Sequence, residues 1–334
     1  MKTESKGSTT GFPKLKYSFL KILTGSDLSR RRLPFMAVES ANYGPVVWLT
    51  ACVHGDEVGG MVIIHEIFKQ IRKTLLKGAL YAFPLMNPLG FETASRDIIL
   101  SKEDLNRSFP GNKNGSLAER IAYKTFTTIV QTNPTLVLDL HNDWQKSIPH
   151  TLLDAYPGAS HEAAYGKAQS FSEKTGLPVV LETDELKKTL TYSLLQHNIP
   201  ALTLELGESY VVNEKNIEYG VKSVLNILDH IDMIEPLAEP FYYPVPEVCR
   251  TQILRYSQRP LSSTSGVIRF LAKPGDMVKK GQSVAKIYDA FGKLEEIITA
   301  PDDGIILGHS DFSVAFPGVP VMAFGIFNQS YTRI

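Results

Sequence analysis

Cysteine is scarce in this chain: Cys52 and Cys249 are the two in 334 residues. Two thiols cannot build the disulfide framework of a small secreted domain. Cys52 lies inside an apolar run, where a buried free thiol is expected. Net charge is lacking too, since 35 basic residues meet 35 acidic ones. Without a cationic excess, neither nucleic acid nor an anionic membrane surface is an expected partner. No stretch approaches the roughly eighteen apolar residues of a membrane span. The opening residues 1–12, rich in Lys, Ser and Thr, read as a disordered tail without the apolar core of a signal peptide. These absences point to a cytoplasmic protein.

What is present is ordinary globular material, 43% hydrophobic and 21% charged. The length exceeds one hydrophobic core, so a large domain with a smaller companion is expected. Between Phe35 and Ile234, short apolar runs alternate with segments of helical spacing. Strands are expected at Phe35–Val38, Val46–Cys52, Leu80–Leu85, Leu136–Leu140, Val179–Leu181 and Ala201–Leu206. Helices are expected at Val58–Leu76, Leu117–Val130, His161–Thr175, Leu186–Gln196 and Lys215–Ile231. The alternation predicts an α/β fold: a mixed, largely parallel sheet with helices on both faces. Pro236, Pro240, Pro244 and Pro246 mark a boundary. Residues 13–240 read as the large α/β domain, and 241–334 as a small all-β unit.

Functional groups of such sheets gather beyond the carboxyl ends of the strands. The run Val46–Val53 ends in His54-x-x-Glu57, a spacing that can place an imidazole and a carboxylate on one metal ion. Leu136-Val-Leu-Asp-Leu-His supplies His141 at the end of another strand. Asp139, two residues earlier, shares its face and can accept a ring N–H from a metal-bound histidine. Whether that histidine is His54 or His141 the sequence leaves open. Two His and one Glu leave a fourth zinc position for water, the catalytic arrangement. Glu205, in Ala201-Leu-Thr-Leu-Glu, is an ionisable group in an apolar strand, placed to move protons. Glu208 competes for that role. The loop between holds Asn87, Arg96, Asp104, Asn106 and Arg107, and arginine suits carboxylates and developing oxyanions.

In the β unit, Gly, strand, Pro-Gly-Asp-x-Val-x-x-Gly, strand, Pro-x-x-Gly resembles the half-barrel of lipoyl and biotinyl domains. Its turn Asp289–Lys293 lacks their Asp-Lys or Met-Lys-Met signature, which favours a structural lid or oligomer contact over a carrier role for Lys293.

His54-Gly-Asp-Glu57, Asn87-Pro, Arg96, Asp104-Leu-Asn-Arg-x-Phe-Pro-Gly111, Asp139-Leu-His-Asn142 and Leu204-Glu-Leu-Gly207 follow one another in the order of one family. The chain resembles the succinylglutamate desuccinylase/aspartoacylase branch of the zinc carboxypeptidase superfamily. That resemblance implies zinc, one ion per chain, held by His54, Glu57 and His141. It implies hydrolysis of the amide bond of a small N-acyl amino acid, with Glu205 as general base and then acid. Arg96 would polarise the scissile carbonyl, and Asn106 and Arg107 would grip a substrate carboxylate. A further Arg and a Tyr from later in the chain would complete the pocket; Tyr288 could equally face its own core. The alternative is a metallocarboxypeptidase acting on short peptides, which needs an open cleft. The acyl group, the amino acid and any homo-oligomer stay open.

Overall fold

The chain is described by a computed structural model covering residues 14–24, 28, 30–183 and 186–328. The expected tail, residues 1–12, lies outside them. In chain order the elements begin β1 (Lys16–Thr24), β2 (Arg30–Glu39), β3 (Val46–Ala51), α1 (Gly59–Thr74), β4 (Ala79–Phe83) and α2 (Pro88–Glu92). Next come α3 (Leu117–Val130), β5 (Leu136–Asp143), β6 (Lys146–Ser147), β7 (His150–Leu153), α4 (Glu162–Ser172) and β8 (Val179–Leu181). Then follow α5 (Leu190–Leu195), β9 (Ala201–Glu208), α6 (Glu214–His230) and β10 (Leu254–Ser257). The last are β11 (Gly266–Phe270), β12 (Met277–Val278), β13 (Ser283–Tyr288), β14 (Leu294–Thr299), β15 (Gly304–His309), β16 (Val314–Ala315) and β17 (Met322–Ile326).

One 13-stranded sheet runs β1-β2-β4-β3-β5-β9-β7-β8-β10-β17-β15-β12, with β6 beside β15. Its middle strands β4, β3, β5 and β9 are parallel, as the apolar runs imply. Beyond that middle the sheet is mixed and not largely parallel, since only β7–β8 and β8–β10 continue the parallel pairing. β1, β2, β7, β12 and β17 pair antiparallel with neighbours, and antiparallel pairs outnumber parallel ones. β1 and β2 are joined by a short link, which returns the chain antiparallel, whereas β2–β4, β7–β9 and β10–β17 bring together strands forty or more residues apart in the chain.

Helices cover both faces of the middle. On one face, α1, α4 and α6 bury Ile63, Ile67, Phe68, Ala168, Val224 and Ile227. On the other, α3 and α5 pack Ile121, Phe126, Leu190 and Leu194 against Trp48, Val137 and Ala201. Each fully buried Leu, Ile or Phe contributes roughly 1.5–3 kcal/mol, so these two layers fix the strand ends between them. The start of α1 is set by close approach to β5. A Cβ on Gly60 would lie 2.7 Å from the Leu140 side chain, and the Gly59 N–H donates to Asn142 Oδ1 at 3.0 Å. That seam pins the loop between β3 and α1.

After the proline-rich segment, β10 extends the main sheet, parallel to β8. Strands β14-β13-β11-β16 form a second, four-stranded sheet. Ile268, Val284, Ile287 and Ile298 of that sheet share a core with Ile306, Met322 and Phe324 of the large one. Among the described residues, no helix is long and apolar enough to cross a membrane.

Candidate metal centre and active site

Two adjacent parallel strand ends, those of β3 and β5, supply the centre. The chain leaves β3 through Cys52 at φ +51°, then turns so that His54 and Glu57 face His141 on β5. The three side chains are buried, and one donor atom from each lies within 4.8 Å of the others. Nδ1 of His54 is 2.6 Å from Glu57 Oε1, and Nδ1 of His141 is 2.8 Å from Glu57 Oε2. Both rings therefore present Nδ1 inward and Nε2 outward.

Each outward Nε2 has its own carboxylate. His141 Nε2 lies 2.9 Å from Asp139 Oδ2, and the Thr50 hydroxyl donates to the other Asp139 oxygen at 2.6 Å. His54 Nε2 lies 3.2 Å from Asp104 Oδ1. Asp139 thus serves His141, while Asp104, which the sequence reading placed only in a motif, serves His54. The Asn142 N–H donates to Glu57 Oε2 at 3.1 Å.

Burial works against charge on either ring. Glu57 with Asp104 outweighs it at His54, and Asp139 with Glu57 at His141, so both stand above the ordinary imidazole value. Burial likewise opposes ionisation of Glu57, yet the two rings hold it far below the usual carboxylate range. Two nitrogens and a carboxylate converge where positive charge is favoured, and each ring has an acceptor behind it. That donor set fits a divalent ion of the zinc type.

A cavity of about 330 Å³ opens beside the three side chains. Arg96, Asn106, Arg107 and Glu205 line it. Arg96 Nη2 donates to Asp104 Oδ2 at 3.0 Å, and its Nη1 stands 3.7 Å from Glu57 Oε1. Asn106 Oδ1 accepts the Leu190 N–H at 3.0 Å, which ties the loop to α5. Arg107 Nη1 donates to the Asn106 carbonyl at 2.9 Å.

Glu205 pairs in register with His141, and its Oε2 has no hydrogen-bond partner. Burial pushes its carboxyl up to about 8, with Asp143 and Glu57 adding to the rise and His141 and Arg96 opposing it. Glu208 does not line the cavity; it accepts from Asn213 Nδ2 at 2.7 Å. Tyr288 is also elsewhere, under the Arg269 guanidinium at 5.8 Å. The tyrosine in the cavity is Tyr256 of β10, with the Gln258 side chain donating to its hydroxyl at 2.8 Å. Lys293 sits in the turn between β13 and β14, 3.2 Å from Glu295.

The far wall comes from β7, β8 and β10, through His150, Asp154, Glu182 and Tyr256. The sequence reading missed β7. Pro149 precedes it and it spans four residues, so periodicity carries no signal. A larger cavity of about 520 Å³, between β1 and α1, holds none of the three converging side chains.

The sequence model of the succinylglutamate desuccinylase/aspartoacylase catalytic domain matches residues 43–231. The chain is 27% identical, over 292 residues, to the N-alpha-acetyl-L-2,4-diaminobutyric acid deacetylase of Halomonas elongata, covering 82% of this chain and 80% of that protein. Its fold is similar to a succinylglutamate desuccinylase/aspartoacylase from Rhodobacter sphaeroides, with TM-score 0.79, 19% identity and coverage of 97% and 99%. It is similar also to the product-bound ectoine utilization protein of Ruegeria pomeroyi, with TM-score 0.77, 20% identity and coverage of 96% and 98%. A metallo-carboxypeptidase from Burkholderia cenocepacia matches 65% of each chain with TM-score 0.52 and 14% identity.

Proposed function

This chain belongs to the succinylglutamate desuccinylase/aspartoacylase family, and from that premise we propose that it is a zinc-dependent hydrolase of the amide bond in a small N-acyl amino acid. The observation that carries this reading is convergence. His54, Glu57, His141, Arg96, Arg107 and Glu205 line one cavity of about 330 Å³. Such a volume suits a small molecule. An extended peptide would need the open cleft of a carboxypeptidase, and here Tyr256 of β10 adds to the cavity wall.

His54, Glu57 and His141 would hold the metal. When bound, a divalent ion at such a site acidifies water and polarises a carbonyl oxygen. Glu205 takes the proton from the attacking water and delivers it to the amide nitrogen, which leaves as the amine. A carboxyl with a raised pKa and an unpartnered oxygen suits both halves of that transfer. Arg96 lies beside Glu57, where its free N–H groups can meet the oxyanion as the carbonyl becomes tetrahedral. Arg107 meets the substrate carboxylate, the planar fork matching two oxygens. Asn106 helps fix that end, since its Oδ1 is already held by α5. The curated relative from Halomonas, a deacetylase of an N-acetylated diamino acid, supports deacylation over peptide cleavage.

The test is metal content together with amine release from N-acetyl and N-succinyl amino acids, beside a short peptide series, with and without chelator. Near-stoichiometric zinc and chelator-sensitive release from one acyl amino acid are expected. Absence of zinc after reconstitution, or release from peptides alone, would overturn the reading.

A further inference from the structure

β10 and the residues after it form a wall with two faces. Side chains alternate along an extended chain, and the run Leu254-Arg-Tyr-Ser-Gln-Arg259 divides accordingly. Tyr256 and Gln258 line the catalytic cavity, where the Gln258 amide donates to the Tyr256 hydroxyl. Arg255, Ser257 and Arg259 do not line it. They line a second cavity of about 560 Å³, which Tyr256 and Gln258 also border. The two cavities therefore share a wall.

Both arginines are exposed, and neither guanidinium is paired with another described residue. Asp302, the acidic residue among the described lining of this second cavity, lies 3.9 Å from Lys280 Nζ. The arginine charges are thus left unanswered, and two like charges facing one cavity repel unless an anion lies between them. Four residues separate their backbones by at most roughly 13 Å at about 3.3 Å per residue, a gap that two long side chains can close on one ligand. The Ser257 hydroxyl, on the same face, accepts the Arg259 N–H at 3.2 Å. Opposite the charges the lining is apolar, with Leu261, Pro301, Pro320 and Ile326. Leu261 bridges to Pro320, and Ile326 pairs with Arg255 across β10 and β17. An apolar floor with a few converging polar groups is the make-up of a small-molecule site.

We propose that this second cavity is a regulatory site for a small organic anion, a carboxylate or a phosphate monoester, whose occupancy alters turnover in the neighbouring cavity. The forks of Arg255 and Arg259 take the acidic oxygens, a geometry that suits either group. The hydrocarbon body lies on the floor of Leu261 and Pro320. A ligand that draws Arg255, Ser257 and Arg259 together shifts Tyr256 and Gln258 as well, because they alternate along the same backbone. Misplacing a wall of a reacting site by about 1 Å can cost 10²-fold in rate. The binding half of the proposal stands apart from the hydrolase reading; the effect on turnover rests on it.

The experiment is calorimetry on the zinc-loaded protein at constant ionic strength, with glutarate and propyl phosphate as probes and neutral glutaramide as their control. At least one anion should bind about tenfold or more tighter than glutaramide, and the tighter of the two names the geometry, planar or tetrahedral. The double substitution Arg255→Gln with Arg259→Gln, at exposed positions, should abolish that binding; an anion held at the metal persists in the variant and is told apart by it. The same anion should change wild-type kcat/KM for an acyl amino acid about fivefold or more. The double variant should lose this response and keep its basal kcat. Binding no tighter than that of glutaramide, binding that survives both substitutions, or binding that leaves kcat/KM unchanged overturns the proposal. Arginine-dependent binding in a protein that cleaves no acyl amino acid would instead sink the hydrolase reading and leave the anion site standing.

Discussion

His54 and Asp104, fifty residues apart in sequence, meet at 3.2 Å between Nε2 and Oδ1. The other oxygen of the same carboxylate holds Arg96 through Nε at 3.2 Å and Nη2 at 3.0 Å. One aspartate therefore orients both a proposed metal ligand and the proposed oxyanion donor. Asp104→Asn should weaken zinc affinity about 10- to 100-fold and lower kcat as well. Chelator competition followed by assay at saturating zinc separates the two. An unchanged affinity would show that the ring needs no such anchor.

Glu205→Gln keeps the shape of the side chain and removes its proton transfer. Turnover should fall about 10²- to 10⁴-fold with zinc content unchanged. A near-normal rate with metal bound would transfer the role to another group.

Arg96→Ala and Arg107→Ala should differ in kind. The first should lower kcat about 10²- to 10³-fold, the loss typical of one oxyanion donor. The second should act mainly on KM, since it removes a grip on the ground-state carboxylate. Initial-rate kinetics on one good substrate distinguish them, and matching profiles would refute the division of labour.

His150 gives stability a pH dependence. Its Nδ1–H donates to the Ile148 carbonyl at 3.0 Å, and burial pulls the ring down from 6.5 to about 4. The unfolded chain takes up a proton below about pH 6.5 that the folded ring refuses until about pH 4. Stability should therefore fall as pH drops through that window, by up to roughly 3 kcal/mol. In His150→Asn this limb should flatten, measured by denaturant unfolding at pH 7 and pH 4.5. Equal pH slopes in the two proteins would remove His150 from the account.

Cys52 should be inert despite its place beside the site. It is buried, its Sγ donates to the Glu57 carbonyl at 3.2 Å, and burial with the Glu57 charge pushes it up to about 12. Thiolate, not thiol, is the reactive form. Native protein at pH 8 should resist alkylation at Cys52, and unfolding should release it; rapid native labelling would contradict that placement.

The middle of this fold was legible because its signals are local. Val46–Ala51, Leu136–Asp143 and Ala201–Glu208 are apolar runs long enough to read as buried strands, and α3 matches its helical repeat at Leu117–Val130. His54, Glu57 and His141 could be picked from strand ends because parallel strands deliver their carboxyl ends to one edge. The pairings behind them were not legible: that Asp139 serves His141 and Asp104 serves His54 depends on which way each ring turns. The far half of the cavity was hidden altogether. Asp154 and Glu182 follow two short strands and Tyr256 lies in a third, all from distant stretches, and nothing local distinguishes them from surface residues. Spacing and hydrophobic period encode the helix–strand alternation and the His54–Glu57 pair, and the motif order adds His141. What faces them is set by the folded sheet, because the order β9-β7-β8-β10 arises from long-range backbone pairing that no local pattern specifies.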